Sequence, residues 1–210
     1  MKDEFKVFFT CAKSGREKHI DDFRTVLKAI EKHKEVKLYT PEGGDTAGYR
    51  LTNGVNYLEV YKKRRKNIIK NIDDLKYDST ENKYVHHDAI RMCIMIADAV
   101  IIDGTHPSFR LGYEATIATQ HKKPTLVVSK TKDYSDLINA PYLYGAIYTK
   151  YTISEIVTNF LNEAKKKALR HRFNLMISDE EKEYLDQKSL FEGVSKAEYI
   201  RNLVRNDLNK

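Results

Sequence analysis

Short apolar segments alternate with amphipathic segments along most of this chain, and this alternation limits the fold more than any other feature. The segments KVFFTC, DAVIID and PTLVVS have the length of buried strands and are too short for typical helices. Between them, apolar residues recur at spacings of three and four, as in helices that bury one side. Strands that alternate with helices predict parallel βαβ units. We therefore expect an α/β fold with a mostly parallel sheet and helices on both faces.

The same patterns predict the individual elements. Apolar runs indicate strands at 6–11, 36–39, 98–103, 124–129 and 146–148. Helical periodicity indicates helices at 17–33, 58–75, 86–97, 109–121 and 153–170. Residues 40–57 are rich in glycine and 78–83 are polar, so we expect a loop and a turn there. The basic run at 62–66 belongs to a long connection, 42–85, and is either a lid or a solvated surface.

The last 40 residues have a different pattern. Residues 172–177 alternate between apolar and polar side chains, as in a half-exposed strand. Capping boxes at Ser178–Glu181 and Ser195–Glu198 then open two helices. Such a segment is too small for a core of its own. We predict a main domain at 1–170 and a small C-terminal strand-helix-helix module at 171–210, which needs a second copy or the main domain.

Composition and charge exclude several classes of protein. The 37 Lys and Arg residues exceed the 30 Asp and Glu residues, giving a net charge of +7, which suits phosphorylated ligands or nucleic acid. No apolar stretch has the length of a membrane span, so no membrane contact is expected. Two cysteines cannot form a disulfide framework, which favours a cytoplasmic location. No zinc-binding motif is present.

Two carboxylates are the main candidates for chemistry. Ligands of parallel sheets bind at the carboxyl ends of the strands, and Glu114 follows the strand that ends at Asp103. Gly112 would let a ligand approach the backbone. Alternatively, Glu114 is only a favourable acid in the first helical turn. Asp88 is a candidate partner, since two carboxylates in one crevice suit glycosidic-bond chemistry. The adjacent His86 and His87 point in different directions on a helix, so no metal site is predicted.

A polar loop after the first strand is the second candidate. Backbone N–H groups, a hydroxyl and two cations at a helix N-terminus suit a phosphate group. The loop has neither the Walker pattern nor the dinucleotide-binding glycine pattern. It is therefore either a phosphate site or an ordinary turn between a strand and a helix. Its residues are Lys13, Ser14, Gly15 and Arg16.

Together, these segments resemble a known family. VFFTCAKSGREKHIDDF and the A-D-x-V-I…P-S-x-x-x-G-Y-E pattern resemble the nucleoside 2-deoxyribosyltransferase superfamily, in particular the 2′-deoxynucleoside 5′-phosphate N-hydrolases and cytidylate N-hydrolases. The resemblance covers about 120 of the 210 residues. It implies a Rossmann-like or flavodoxin-like sheet, a homodimer, no cofactor or metal, and cleavage of the base–sugar bond of a nucleoside 5′-monophosphate.

The resemblance also implies roles for particular residues. Glu114 would be the nucleophile at the sugar, and Asp88 would assist departure of the base and activate water. Ser108 would contact the 5′-phosphate, and Phe8 would lie near the sugar. Arg110 would either add a phosphate contact or narrow the pocket. The other substrate-binding residues would be Lys13, Ser14, Gly15, Arg16, Asp103, Gly112 and, by a looser match, Ser135.

The C-terminal segment resembles ribbon-helix-helix DNA-binding domains. In those, strands of two chains pair and enter the major groove. Arg172, Asn174 and Met176 would face the DNA, although methionine suits base contacts poorly. The alternative is a module that only dimerises.

The sequence thus predicts an N-glycosidase acting on a nucleoside 5′-monophosphate, with a tail that dimerises or binds DNA. One alternative is a nucleotide-sensing, DNA-binding regulator. The other is a nucleoside 2-deoxyribosyltransferase, which would pass the sugar to another base.

Overall fold

The computed structural model describes residues 4–12, 20–41, 54–56, 80–138, 140–167 and 175–208. The chain divides into two compact units, Met1–Leu169 and Arg170–Lys210. The predicted helix at 58–75 and the basic run at 62–66 lie outside the described residues.

Six parallel strands form the centre of the first unit, in the order β3-β2-β1-β4-β5-β6. Every neighbouring pair is parallel. This is the Rossmann strand order, and the expected α/β fold is confirmed. The strands are β1 (Phe5–Cys11), β2 (Val36–Thr40), β3 (Gly54–Asn56), β4 (Ala99–Asp103), β5 (Thr125–Ser129) and β6 (Leu143–Ile147).

Helices cover both faces of the sheet because successive strand residues point to opposite sides. Phe9 belongs to the core formed with α1 (Ile20–Glu31) and α4 (Ile153–Lys167). Its neighbour Phe8 belongs to the core formed with α2 (Thr80–Ile96) and α3 (Phe109–Gln120). No helix among the described residues has the length and hydropathy needed to cross a membrane.

Three element predictions need correction. The loop expected at 40–57 contains β3, which pairs with β2 at the sheet edge. Helix α2 begins at Thr80 and not at His86, so the turn expected at 78–83 is partly helical. Strand β6 begins at Leu143, three residues earlier than expected, and four of its five residues are only half-buried.

The second unit contains two helices, α5 (Asp179–Phe191) and α6 (Lys196–Leu208). The Ser178 hydroxyl accepts a hydrogen bond from the Glu181 backbone N–H, and the Glu181 carboxylate accepts one from the Ser178 N–H. Gly193 ends α5 with a φ of +65°, a conformation that favours glycine. The part of the expected strand that the structure describes, 175–177, is not in a strand. A ribbon strand would need a second chain to pair with.

Candidate active site

The order of the strands reverses at the centre of the sheet, between β1 and β4. From β1 the chain continues to β2 on one side, and it later returns to place β4 on the other side. Parallel sheets with this reversal bind ligands in the crevice at the carboxyl ends of the two central strands. Helix α3 starts at this edge, and the Ser108 hydroxyl caps it by accepting a hydrogen bond from the Leu111 N–H at 3.4 Å.

Arg110 links the two sides of this edge. Its Nη2 donates a 2.7 Å hydrogen bond to the carbonyl oxygen of Cys11, the last residue of β1. Its Nη1 lies 3.4 Å from Oε1 of Glu114, one turn further along α3. The guanidinium group therefore holds a fixed positive charge between the end of β1 and the Glu114 carboxyl.

Glu114 is the most unusual titratable group of the site. It lies in the second turn of α3, so it is not the first-turn acid that the alternative interpretation assumed. Its side chain is 2% exposed, and neither carboxyl oxygen has a hydrogen-bond partner among the described residues. Burial raises the pKa of Glu114, while the charge of Arg110 and the nearby Thr10 hydroxyl lower it to a smaller degree. Burial therefore makes the charged form of this carboxyl less favourable than in a solvent-exposed glutamate.

A small cavity of about 80 Å³ opens beside this carboxyl, between α2 and α3. The rings of His87 and Tyr113 lie against each other there, with centroids 5.3 Å apart. The cavity therefore brings the buried acid together with two arginines, an imidazole and a phenol. Its lining residues are His87, Ile90, Arg91, Arg110, Tyr113, Glu114 and Ile117.

Asp88, the expected partner of Glu114, is not among the residues that line this cavity. Its side chain is 55% exposed and lies 3.9 Å from Nδ1 of His87. The structure therefore does not bring the two predicted carboxylates into one cavity; His87 of the same helix takes the place next to Glu114.

Asp103 points to the α1–α4 side of the sheet. Its carboxylate accepts a 3.0 Å hydrogen bond from the Thr105 N–H and a 3.5 Å one from the Tyr148 hydroxyl. Burial raises the pKa of Asp103, and the nearby charge of Asp22 raises it further, while the bonds from Thr105 oppose this. Asp103 is thus a buried acid that already has partners.

The remaining predicted site residues have varied positions. Phe8 is completely buried under α2 and α3, and the hydroxyl of Ser135 donates a 2.7 Å hydrogen bond to Asp133. Gly112 is exposed on α3. Met176 is 98% exposed. The predicted residues that lie outside the described part of the chain are Lys13, Ser14, Gly15, Arg16, Arg172 and Asn174.

Sequence reasoning did not single out Thr10, Arg91 or Tyr113. Thr10 stands inside an apolar strand, and its position facing α3 follows only from the alternation of side chains along β1. Arg91 and Tyr113 look like ordinary surface residues of their helices. The spacing of four residues between His87 and Arg91, which places both on one side of a helix, was the available signal.

A substitution of Gly112 tests whether the fold itself needs this glycine. A Cβ atom at Gly112 would meet no described heavy atom within 4 Å. Since alanine favours helices over glycine, Gly112→Ala should raise the free energy of unfolding by about 0.5–1 kcal/mol, measured by urea denaturation. Gly145→Ala is the matched contrast. Its Cβ would overlap with the Asp133 carboxylate, so it should cost about 1–3 kcal/mol. A less stable Gly112→Ala protein would show that the fold requires the glycine.

The fold and the site define an α/β protein with a central crevice and a buried acid that has Arg110 as an ionic neighbour but no hydrogen-bond partner among the described residues. Among the described residues, no group of three His, Cys, Asp or Glu side chains is placed to hold a metal ion.

No family model and no curated protein matches the chain. Solved structures of Sir2 enzymes do match the chain, at low similarity. One, from work on the mechanism and regulation of Sir2 enzymes, has a TM-score of 0.41 at 12% identity and covers 79% of this chain and 94% of that chain. A Sir2 complex with an inhibitor, 2′-O-acetyl-ADP-ribose and a deacetylated p53 peptide has a TM-score of 0.40 at 11% identity, covering 77% and 94%. A Sir2 mutant with a p53 peptide and NAD has a TM-score of 0.39 at 12% identity, covering 79% and 95%. Likeness at this level carries no activity over to this chain.

These matches correct the sequence interpretation. The predicted membership in the nucleoside 2-deoxyribosyltransferase superfamily is wrong, and so are the nucleotide N-glycosidase function and the alternatives given with it. The A-D-x-V-I and G-Y-E patterns describe a buried strand and the helix after it. Parallel α/β folds repeat that unit, so these residues specify the fold more strongly than the reaction.

Proposed function

We propose that this chain is an enzyme that binds a nucleotide at the carboxyl edge between β1 and β4 and uses the Glu114 carboxyl to donate or accept a proton. The observation that carries the proposal is the Glu114 side chain: 2% exposed, beside a cavity, with no hydrogen-bond partner for either oxygen in the described residues.

The strand order supports a nucleotide as the ligand. Sheets with this order bind nucleotides where the order reverses, and a helix that starts at that edge directs its N–H groups toward phosphate. Helix α3 starts there, and the polar segment 13–16, with its two cations, follows β1 after one residue of the sequence. The phosphate of a nucleotide could bind to the start of α3 and to the cations of this segment.

The raised pKa of Glu114 supports proton transfer. A buried polar group without a partner costs free energy, and proteins keep such groups mainly where they serve a function. A carboxyl with a raised pKa holds its proton to a higher pH than a solvent-exposed one, which suits a general acid. Arg110, at 3.4 Å, would stabilise the carboxylate after the proton leaves.

Calorimetric titration with AMP, ADP, ATP and NAD, each beside its phosphate-free nucleoside, tests the binding step. At least one nucleotide should bind, and its nucleoside should bind about tenfold or more weakly. Chromatography of long incubations then tests turnover. Wild-type protein should convert the bound nucleotide, and Glu114→Gln should bind it but convert it about 10²–10⁴-fold more slowly. Glu155→Gln, which removes an exposed acid of α4, should behave as wild type.

Either of two results would contradict the proposal. If no nucleotide binds, the crevice does not serve this class of ligand. If a nucleotide binds but neither it nor any other member of the panel is converted, the protein is not an enzyme for this class.

We also propose that the second unit joins two copies of the chain. Large apolar side chains of this unit are exposed in the described single chain, and few residues of α5 and α6 are buried. Apolar groups of this number are normally covered by another protein surface. The exposed side chains are Leu175, Met176, Ile177, Tyr184, Leu190, Phe191, Leu203, Val204 and Leu208.

Sedimentation of full-length variants tests this association. Phe191 is 89% exposed in the single chain, and burying a phenylalanine is worth about 1.5–3 kcal/mol. Phe191→Glu should therefore raise the dimer dissociation constant by about tenfold or more. Gln187→Glu adds the same charge at an exposed polar position of α5 and should change it little. A monomeric wild-type protein at all concentrations would refute the association.

A further inference from the structure

A second and larger cavity lies on the other side of α3, between that helix and the connection from β5 to β6. We propose that this cavity binds an uncharged ligand group made of one or two flat apolar rings. This cavity shares no lining residue with the cavity beside Glu114, and the proposal does not depend on the proposed nucleotide chemistry.

The size of the cavity supports a ring-sized ligand. Its volume is about 210 Å³. An apolar protein cavity of about 150 Å³ accommodates benzene, so this one has room for a single ring or a pair of fused rings. The lining residues are Ile102, Gly104, Pro107, Ser108, Leu111, Gly112, Ala115, Thr116, Thr119, Val127, Tyr134, Ile138, Ala140 and Leu143.

The chemistry of the lining supports an uncharged ligand. None of the lining residues is charged, so an anion or a cation would lose its hydration without gaining a counter-charge. The floor is formed by side chains of the sheet, such as Ile102 and Val127, which are buried. Leu111 and Ala115 of α3 form one wall.

The hydroxyl groups of the lining already have partners. Thr116 and Thr119 donate to carbonyl oxygens of their own helix at 2.9 and 3.0 Å. Tyr134 donates to the Gly104 carbonyl oxygen at 2.9 Å, and Ser108 caps α3. These hydroxyls therefore need no hydrogen bond from a ligand, which favours apolar rings over sugars or other polar molecules.

A ligand has a route into this cavity. Ile138 contributes to the lining and is 54% exposed, and the next residue toward β5, Leu137, is 65% exposed. The residues of α3 that line this cavity alternate with those that line the Glu114 cavity, because the two sets lie on different sides of the helix. A ring bound here would thus contact α3 without displacing a ligand at Glu114.

Calorimetric titration of the full chain with indole, and with indole-3-carboxylate as its charged counterpart, tests the proposal. Indole should bind in a saturable manner, and the carboxylate should bind about tenfold or more weakly. Ala115→Leu adds three carbon atoms to the cavity and should weaken indole binding by about tenfold or more. Gln120→Leu places leucine on an exposed position of the same helix and should leave indole binding unchanged.

Thermal unfolding of each variant establishes that it is folded before binding is compared. Thr119→Leu is a second cavity-filling variant, in case Ala115→Leu fails to fold. The proposal is overturned if wild-type protein does not bind indole, if the carboxylate binds as tightly as indole, or if a folded cavity-filling variant binds indole like wild type.

Discussion

Glu114→Gln is expected to reduce kcat for the nucleotide that the protein converts by about 10²–10⁴-fold, the usual contribution of a general acid or base. Glutamine keeps the shape of the side chain but has no proton to transfer at neutral pH. Binding should persist, because the proposed contacts to phosphate come from other residues. Initial rates at saturating nucleotide measure the effect.

The same substitution should make the fold more stable at neutral and alkaline pH. Glu114 is buried and neither of its oxygens has a hydrogen-bond partner in the described part of the chain, so its charged form is costly. The amide removes that charge. Arg110 keeps its 2.7 Å hydrogen bond to Cys11 and is partly exposed, so the loss of its ionic partner costs little. We expect a gain of about 1–2 kcal/mol at pH 8.

The stability gained by Glu114→Gln should increase as the pH rises. Burial raises the pKa of Glu114 in the folded protein above that in the unfolded chain. In acid both states are protonated, so the variant and wild type should differ least. As the pH rises, the unfolded chain releases its proton first, and wild type loses stability until the pH passes the folded-state pKa. Urea denaturation at several pH values between about 4 and 8 measures this difference.

Glu155→Gln again serves as the control, since an exposed carboxyl should give a small difference at every pH. A Glu114→Gln protein that is less stable than wild type at pH 8 would show that the carboxylate is stabilised in the fold. Burial of the Glu114 carboxyl would then not be costly to the fold, whatever the kinetic result.

Much of the fold follows from the sequence because the central strands are completely buried. The segments that form β1, β4 and β5 are short, continuous apolar runs. Runs of this kind are typical of strands that are buried on both faces of a parallel sheet. The edge strands of the sheet are harder to predict from the sequence. Gly54–Asn56 has three residues and no apolar pattern, and it is a strand only because β2 offers a free edge. Strand order depends on contacts between distant segments, which one sequence does not record.

The site was only partly predictable, for a related reason. Glu114 could be singled out because an acid on the helix after a central strand lies near the crevice. That the acid is buried, and that its neighbours are His87 and Arg91 and not Asp88, depends on how α2 packs against α3. Local sequence patterns contain little information on such packing, and the A-D-x-V-I and G-Y-E patterns specify a strand and a helix more strongly than a reaction.

Phe9→Ala is expected to have the largest effect on stability, a loss of about 3–5 kcal/mol. Phe9 is completely buried in the central strand β1, and its ring lies 5.9 Å from that of Phe23 on α1. Alanine would leave a cavity between the sheet and α1. Phe109→Ala is the control: Phe109 is 93% exposed, so the same change should alter the free energy of unfolding by about 0.5 kcal/mol or less.

The Phe9→Ala variant also tests whether the site stays intact when the fold is destabilised. Phe9 and Thr10 point to opposite faces of the sheet, and the Glu114 carboxyl lies on the face of Thr10. The cavity made by Phe9→Ala would therefore open away from Glu114. In urea-free buffer, nucleotide affinity per folded molecule should stay within about threefold of wild type. A larger loss of affinity would mean that the packing of α1 against the sheet helps to position the crevice, and that the site depends on both faces of the sheet.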